Sequence, residues 1–330
     1  MDFVSIIIPT RNEESFIDNC LKSVLINDYC MDYIEILILD GMSRDHTLEI
    51  VNSYISEYPN IKVISNSGKI YPCAINLGVK KSKGDVILIL GAHATYKSDY
   101  ISKCVKYLIE LDADNVGGVL KTVGLNTSII GKAITIVLTS PFGVGNSTFR
   151  TGSDKIVEVD TVFGGCYKRN VFDRIGFFNE NLISSSDMDF NTRLKKSGGK
   201  IYLVPEIIVT YYTRSAFMKF FINNIRNGYW AIYPMRFLDY IPVSLRHFIP
   251  LLFMIGVLGG ILLSQVSILV FYLFVAVLSI YFVAALLASA KYFKKSIVNV
   301  FLLPFLFVVL HLSYGFGSLI ALIKVLFSKR

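Results

Sequence analysis

Two clusters of polar residues, each standing where an apolar run ends, carry groups able to bind or activate a ligand. Val4 to Ile8 breaks at Pro9-Thr10-Arg11-Asn12-Glu13-Glu14, and Ile34 to Leu39 breaks at Asp40-Gly41-Met42-Ser43-Arg44-Asp45-His46-Thr47. A carboxylate at such a strand end accepts hydrogen bonds from a base N–H or a ribose hydroxyl. Asp40 is so placed, and Asp45 shares its loop. Each also has a plainer reading, Asp40 as a turn residue before Gly41 and Asp45 as a helix cap; the neighbouring Pro9 to Glu13 cluster favours a site. Asp187 and Asp189 open a later amphipathic stretch. One carboxylate there suffices to take the proton of an attacking hydroxyl, while Asp187 reads equally as the cap of its helix. His93 follows another apolar run, Val86 to Leu90, either as a ligand or as an edge-packing side chain.

Hydrophobic periodicity supplies the elements that must position these groups. The four runs, with Lys62 to Ile64 as the short third, read as buried parallel strands. Asn12 is expected to cap a helix with Glu13 and Glu14 in its first turn and Phe16, Ile17, Cys20, Leu21 and Val24 on one face. A second helix turns Leu48, Val51 and Ile55 inward. A loop containing Ser67-Gly68-Lys69 leads to a third helix, Pro72 to Val79. This alternation predicts an α/β fold, a doubly wound nucleotide-binding sheet with right-handed crossovers. Phe142 to Arg150 is glycine-rich without the spacing of a phosphate loop and reads as a loop before a strand at Ile156 to Val162.

With 53% apolar residues and a mean hydropathy of +0.53, the chain is too apolar for an ordinary soluble protein, and the excess lies after Arg246. A net charge of +8 without a basic helix or aromatic-basic module argues against nucleic acid and for cations flanking lipid spans. Five cysteines without a CxxC pair argue against structural zinc and fit a reducing compartment. No signal peptide is expected at the start. Residues 215–246 mix aromatic and basic side chains as interfacial helices do. Phe248 to Leu263 and Ile268 to Ala290 form a hairpin returning to Lys291, Lys294 and Lys295. A third run, Ile297 to Ile323, precedes Lys324, Lys329 and Arg330 and contains Pro304, His311, Gly315 and Gly317, which would break it if it were re-entrant. Three spans are expected.

The blocks VSIIIPTRNEE, LDGMSRDHT, AINLGVKKSKGDVILIL, GGCYKRNVFDRIGFFNENL and SSDMDFNTRLKKSGGKIYLVP occur in an order that resembles the inverting GT-A glycosyltransferases of family 2. Within that family the chain is similar to the membrane-attached succinoglycan-type glucosyltransferases of exopolysaccharide synthesis. The resemblance covers roughly residues 1 to 240. It implies that Thr10, Arg11, Glu13, Asp40 and Asp45 surround the nucleotide of a nucleotide-diphosphate sugar, and Pro9, Lys69 and Asn76 join that set. It implies an acceptor side after Gly164-Gly165, to which Arg150, Asp189, Arg226 and Trp230 are assigned, and Asp187 as catalytic base. Two positions depart from the family pattern. Gly91-Ala92-His93 replaces an Asp-x-Asp motif, leaving His93 as the one side chain able to meet Mn²⁺ or Mg²⁺ there or to face the diphosphate as a cation. Ser186-Asp187 replaces a Glu-Asp pair.

The expectation is a GT-A domain at residues 1–214, interfacial helices at 215–246 and transmembrane helices at 247–330, in the cell membrane with the catalytic front cytosolic. The expected reaction moves a hexose, from UDP, to a lipid-linked saccharide. The alternatives are a polyprenyl-phosphate glycosyltransferase and a degenerate scaffold of a glycan-assembly complex.

Overall fold

The computed structural model describes residues 1–124, 128–213, 216–295 and 298–327. Of the positions weighed above, Ser215, Ile297, Lys329 and Arg330 lie outside these, as do the side chains of Lys291, Lys294 and Lys295. The chain forms two compact units, Met1–Thr122 with Gly152–Tyr212, and Val123–Thr151 with Thr213–Arg330. The expected unbroken domain over 1–214 is therefore interrupted. The apolar stretch after Val123 leaves the front unit because Ala133, Ile134 and Val137 bury against Leu303, Leu306, Phe307 and Leu310 of the helical unit.

In chain order the front unit begins β1 (Val4–Thr10), α1 (Ile17–Leu25), β2 (Ile34–Asp40), α2 (Thr47–Ile55), β3 (Ile61–Ser65), α3 (Tyr71–Lys81), β4 (Val86–Ile89), β5 (Ala94–Tyr96), α4 (Tyr100–Glu110) and β6 (Asn115–Gly124). Three helices of the second unit follow, α5 (Ile129–Thr139), α6 (Pro141–Val144) and α7 (Thr148–Thr151). The front unit then resumes with β7 (Val157–Glu158), β8 (Gly165–Lys168), α8 (Asn170–Ile175), α9 (Ser186–Lys196) and β9 (Ile201–Thr213). The sheet order is β3-β2-β1-β4-β8-β6-β9-β5, with β7 on β9. β1 to β4 are parallel, as the runs predict, whereas β8 joins β4 antiparallel. Ile6, Ile7, Ile8, Ile36, Ile38 and Leu88 are fully buried, which is why these runs show no polar alternation.

Local differences from the expected elements have physical causes. Asn12 does not cap α1: it sits at φ +56°, a region asparagine tolerates, and the helix starts later, after a turn in which Glu13 O accepts from the Phe16 and Ile17 amides. The expected strand at 156–162 shrinks to β7. The glycine-rich loop folds into α6 and α7 on either side of Gly145.

The helical unit continues with α10 (Phe217–Ile232), α11 (Ile249–Leu263), α12 (Ile268–Ser289) and α13 (Asn299–Phe327). Where α10 crosses α13 the backbones touch. A Cβ on Gly228 would lie 1.9 Å from Tyr314 O, one on Gly317 would lie 2.0 Å from Ile225 O, and Ser318 Oγ donates to Gly228 O at 3.0 Å. Thus α10 buries Phe220, Asn224 and Gly228 on one side and exposes Met218, Phe221 and Ile222 on the other. Among the described residues three segments are long and apolar enough to cross a membrane, Leu245–Leu263, Ile268–Ser289 and Asn299–Phe327. The last is one continuous helix: Pro304 falls near its start, and Gly315 and Gly317 serve close packing rather than a bend. Charge divides sharply. The helical unit carries thirteen lysines and arginines against one carboxylate, Asp239, and the front unit twenty against twenty-four.

Candidate active site

The candidate residues gather at the carboxyl ends of the parallel strands. Register places Thr10 beside Asp40 and Asp40 beside Ser65. Gly41 N donates to Thr10 O at 2.8 Å and Asn66 N to Asp40 O at 2.7 Å, so the three strand ends are tied as they leave the sheet. The loops beyond are laced together. Asn12 N donates to Ser43 Oγ (2.9 Å), Arg44 N to Asn12 Oδ1 (2.9 Å), Glu13 N to Thr47 Oγ1 (2.7 Å) and Glu14 N to Asp45 Oδ2 (3.2 Å). Arg11 Nη1 reaches Lys69 O at 3.4 Å. Among the described residues, four of the five non-glycine residues with positive φ, namely Asn12, Met42, Lys69 and Ser185, stand on the loops carrying the candidate residues.

Within that rim the plain reading of Asp40 as a turn residue holds as geometry, and Asp45 stands one residue before the N-cap position of α2. Asp40, 3% exposed, accepts from Ser43 Oγ at 2.6 Å and from Ser43 N. Asp45 receives Thr47 N and Oγ1 at 3.1 and 2.6 Å just ahead of α2, whose N-cap position is His46, and bridges to the first loop. Burial pushes the Asp45 carboxyl up, but the hydrogen bonds from Thr47 and Glu14 outweigh it and hold it below the usual range. Thr10 Oγ1 is buried with no hydrogen-bond partner among the described residues, at the strand end where a ligand would arrive. Pro9 precedes it in β1.

Glu13 and His93 meet each other. His93 Nδ1 lies 2.8 Å from Glu13 Oε2, and the imidazole stacks on Phe16 at 4.1 Å. This joins the loop after β1 to the loop after β4. Gly91 is clasped by Tyr96, whose hydroxyl accepts from Gly91 N at 2.8 Å and donates to Gly91 O at 3.0 Å. A hard divalent cation asks for several oxygen ligands. Gly91 offers no side chain, Glu13 Oε2 lies 2.8 Å from His93 Nδ1 yet is a buried oxygen without a hydrogen-bond partner among the described residues, and among those residues no three His, Cys, Asp or Glu side chains converge. The protein-side donor set does not fit such a cation.

Asp187 lies in the first turn of α9, directly after Ser185 at φ +64°. Its charge is felt by two phenols. Tyr167, fully buried, titrates above its ordinary range through burial first and then through Tyr71 and Asp187. Tyr71 is raised by desolvation and then by Asp187. Tyr71 opens α3 directly after the Lys69 loop, so Asp187 lies within electrostatic reach of the start of α3.

Other candidates are held by the protein itself. Asp189 is fully buried and accepts from Arg193 Nη2 at 3.0 Å, while Arg193 also donates to Ile175 O and Phe177 O. Asn76 Nδ2 donates to Phe178 O and Glu180 Oε1, and its Oδ1 accepts from Phe178 N. Both therefore anchor the segment leading into α9. Gly164 and Gly165, at φ +65° and +118°, act through backbone: a Cβ on Gly164 would lie 2.3 Å from Ile89 O, so glycine is what lets β8 pass the end of β4. Arg150, Arg226 and Trp230 belong to the helical unit. There Arg150 lies over the Phe149 ring, Arg226 is exposed on α10, and Trp230 packs among Tyr229 and Tyr233.

Sequence reasoning passed over Ser43, Thr47, Tyr71 and Phe16. The first two had a signal, a hydroxyl three residues after Asp40 and two after Asp45, the spacings at which Asx turns and caps close. The aromatic pair had none.

The model of glycosyl transferase family 2 matches residues 5–176. A dolichyl N-acetyl-alpha-D-glucosaminyl phosphate 3-beta-D-2,3-diacetamido-2,3-dideoxy-beta-D-glucuronosyltransferase of Methanococcus voltae is 32% identical over 235 residues, 69% of this chain and 72% of that protein. The succinoglycan biosynthesis protein ExoA of Rhizobium meliloti is 28% identical over 220 residues, 66% of this chain and 65% of that protein. Among solved structures, a mannosyltransferase from Pyrobaculum calidifontis in complex with GDP-Man and Mn²⁺ superposes with a TM-score of 0.59 at 17% identity, covering 100% of this chain and 88% of that one. That likeness is one of fold.

Proposed function

Because the chain belongs to glycosyl transferase family 2, we propose that it moves a hexose from a UDP-sugar to a lipid-linked saccharide during exopolysaccharide or cell-surface glycan synthesis. The observation that carries this reading is the laced rim of the loops after β1, β2 and β3, with the Asp187 charge within reach of Tyr71 at the start of α3. In this reading Asp40 and the buried Thr10 hydroxyl receive the nucleoside, and the exposed cations Arg11 and Lys69 face the diphosphate. Asp187 accepts the proton of the acceptor hydroxyl as that oxygen bonds to the anomeric carbon. The carbon–oxygen bond to the diphosphate breaks with its electron pair leaving on the nucleotide, and a single displacement inverts the anomeric centre.

The lipid-linked acceptor is supported by the three membrane-length apolar segments and by the name of the Methanococcus relative, whereas that of the Rhizobium relative supports exopolysaccharide synthesis. The front unit would work on the cytosolic side. The test is UDP release from a panel of UDP-sugars presented with membrane lipid extract, with the anomeric configuration of the product read by NMR. Asp187→Asn should lower turnover by about a hundredfold or more, the usual contribution of a general base. Turnover retained in that variant, or a product of retained configuration, overturns the assignment.

A further inference from the structure

The rim after β1, β2 and β3 keeps its acids occupied and its cations open. Asp40 spends its carboxylate on Ser43 N and Oγ, Asp45 on Thr47 and the Glu14 amide, and Glu14 on His46 N and Nδ1 at 3.0 and 2.9 Å. Arg11 and Lys69 are both exposed, and among the described residues neither meets a carboxylate. Arg11 is nevertheless held. A Cβ on Gly41 would lie 3.3 Å from its Cβ and 3.3 Å from its Cδ, so the aliphatic stem runs over the glycine, and Nη1 donates to Lys69 O at 3.4 Å. The turn carrying Lys69 is closed from within, Lys69 N donating to Asn66 O at 3.1 Å and Asn66 Nδ2 to Ile70 O at 3.2 Å. The guanidinium is thus brought to the lysine's own loop, at the strand ends where Thr10 Oγ1 lies buried without a partner among the described residues.

The loop after β4 is built the other way. Gly91 has no side chain, and the Tyr96 hydroxyl takes both its N–H and its C=O. With the carboxylates of the rim spent on protein donors, a hard cation finds too few oxygens there, while an anion finds two cations already in place. We propose that Arg11 and Lys69 hold the donor diphosphate without a divalent cation, supplying the positive charge that an ion held by an Asp-x-Asp motif would bring. This rests on the nucleotide-sugar reading above and names how the diphosphate is met. A guanidinium grips phosphate oxygens bidentately and an ammonium acts as a point charge, so the pair can serve two phosphates.

The full chain in nanodiscs is titrated with UDP and with uridine, which lacks the phosphates, first in chelator and then in Mn²⁺. UDP should bind about a hundredfold tighter than uridine, about tenfold for each charge-assisted contact, and its affinity in the two buffers should agree within about twofold. In chelator, Arg11→Gln and Lys69→Gln should each weaken UDP about tenfold and leave uridine unchanged. UDP binding that needs Mn²⁺, or that tightens about tenfold with it, overturns the proposal, as does UDP affinity unmoved by both glutamine variants. Uridine reports on folding. A glutamine variant that loses both ligands is replaced by Arg11→Lys or Lys69→Arg, and either of these must keep UDP binding in chelator for the proposal to stand. An unaltered chain that binds neither ligand in either buffer defeats the nucleotide-sugar reading itself, whereas metal-dependent UDP binding defeats only the metal-free site.

Discussion

Replacing Asn76 by alanine should unpin the segment that delivers Asp187 while leaving nucleotide affinity nearly intact. The side chain is 4% exposed and makes three hydrogen bonds, to Phe178 O (2.9 Å), to Glu180 Oε1 (2.8 Å) and from Phe178 N (2.9 Å). Truncation orphans the amide N–H and the carbonyl of a residue that is itself 3% exposed. Each such buried group costs ~1–3 kcal/mol, so with Glu180 free to find water the total comes to about 3 kcal/mol. At ~1.4 kcal/mol per tenfold, local opening of residues 176–185 rises about a hundredfold. Hydrogen exchange on the full chain reads that as lost protection at Phe178 and its neighbours. Asn76→Asp keeps the shape but points a carboxylate at Glu180 and at the Phe178 carbonyl, and should cost more than alanine. UDP affinity, measured by calorimetry, should move by less than about twofold, because both amide N–H donors are spent inside the protein on Phe178 and Glu180. Protection unchanged in Asn76→Ala together with UDP binding weakened tenfold would refute this and return Asn76 to the donor site.

Three further outcomes follow from the geometry. Gly91→Asp should fold, since its Cβ meets only the Phe163 ring, at 3.2 Å, at a cost of ~1 kcal/mol. It should raise Mn²⁺ affinity by supplying the missing carboxylate, and unchanged or weaker Mn²⁺ binding by electron paramagnetic resonance would count against the account of that loop. Gly228→Ala places a Cβ 1.9 Å from Tyr314 O and should destabilise the α10–α13 crossing by ~1–3 kcal/mol, seen as faster proteolysis within α10; unchanged proteolysis would contradict the close approach. Asp45 is held below its ordinary range, so the stability it lends the rim is complete above about pH 4 and is lost as pH falls through its lowered value. Protection of the Glu14 amide should therefore decline only in acid, and Asp45→Asn should flatten that decline; loss on raising the pH would give the opposite sign.

The strands were legible because β1, β2 and β4 are buried on both faces and show as unbroken apolar runs. The loops were legible as chemistry but not as geometry. Nothing in the type of Met42 or Lys69 announces a left-handed backbone, and asparagine at position 12 suits a cap and a positive φ equally well. The excursion of residues 123–151 was hidden because α5 is amphipathic, and periodicity says that a face is buried without saying against what. The i,i+4 spacing of Asp189 and Arg193 did carry a usable sign that this acid is paired within its own helix, which distinguishes it from Asp187. Close packing through Gly315 and Gly317 looks, in sequence, the same as a break in the helix.

The uneven division of charge bears on how the molecule is handled. A pI near 9.1 belongs to neither half: the front unit alone is a mild polyanion, and the helical unit a strong polycation. Raising ionic strength should loosen the helical unit from anionic bilayers and resins while easing self-repulsion in the front, so salt conditions that extract the protein well need not be those in which its enzyme half is most soluble. Excised from the rest, the front unit should pass through a cation exchanger that retains the intact chain.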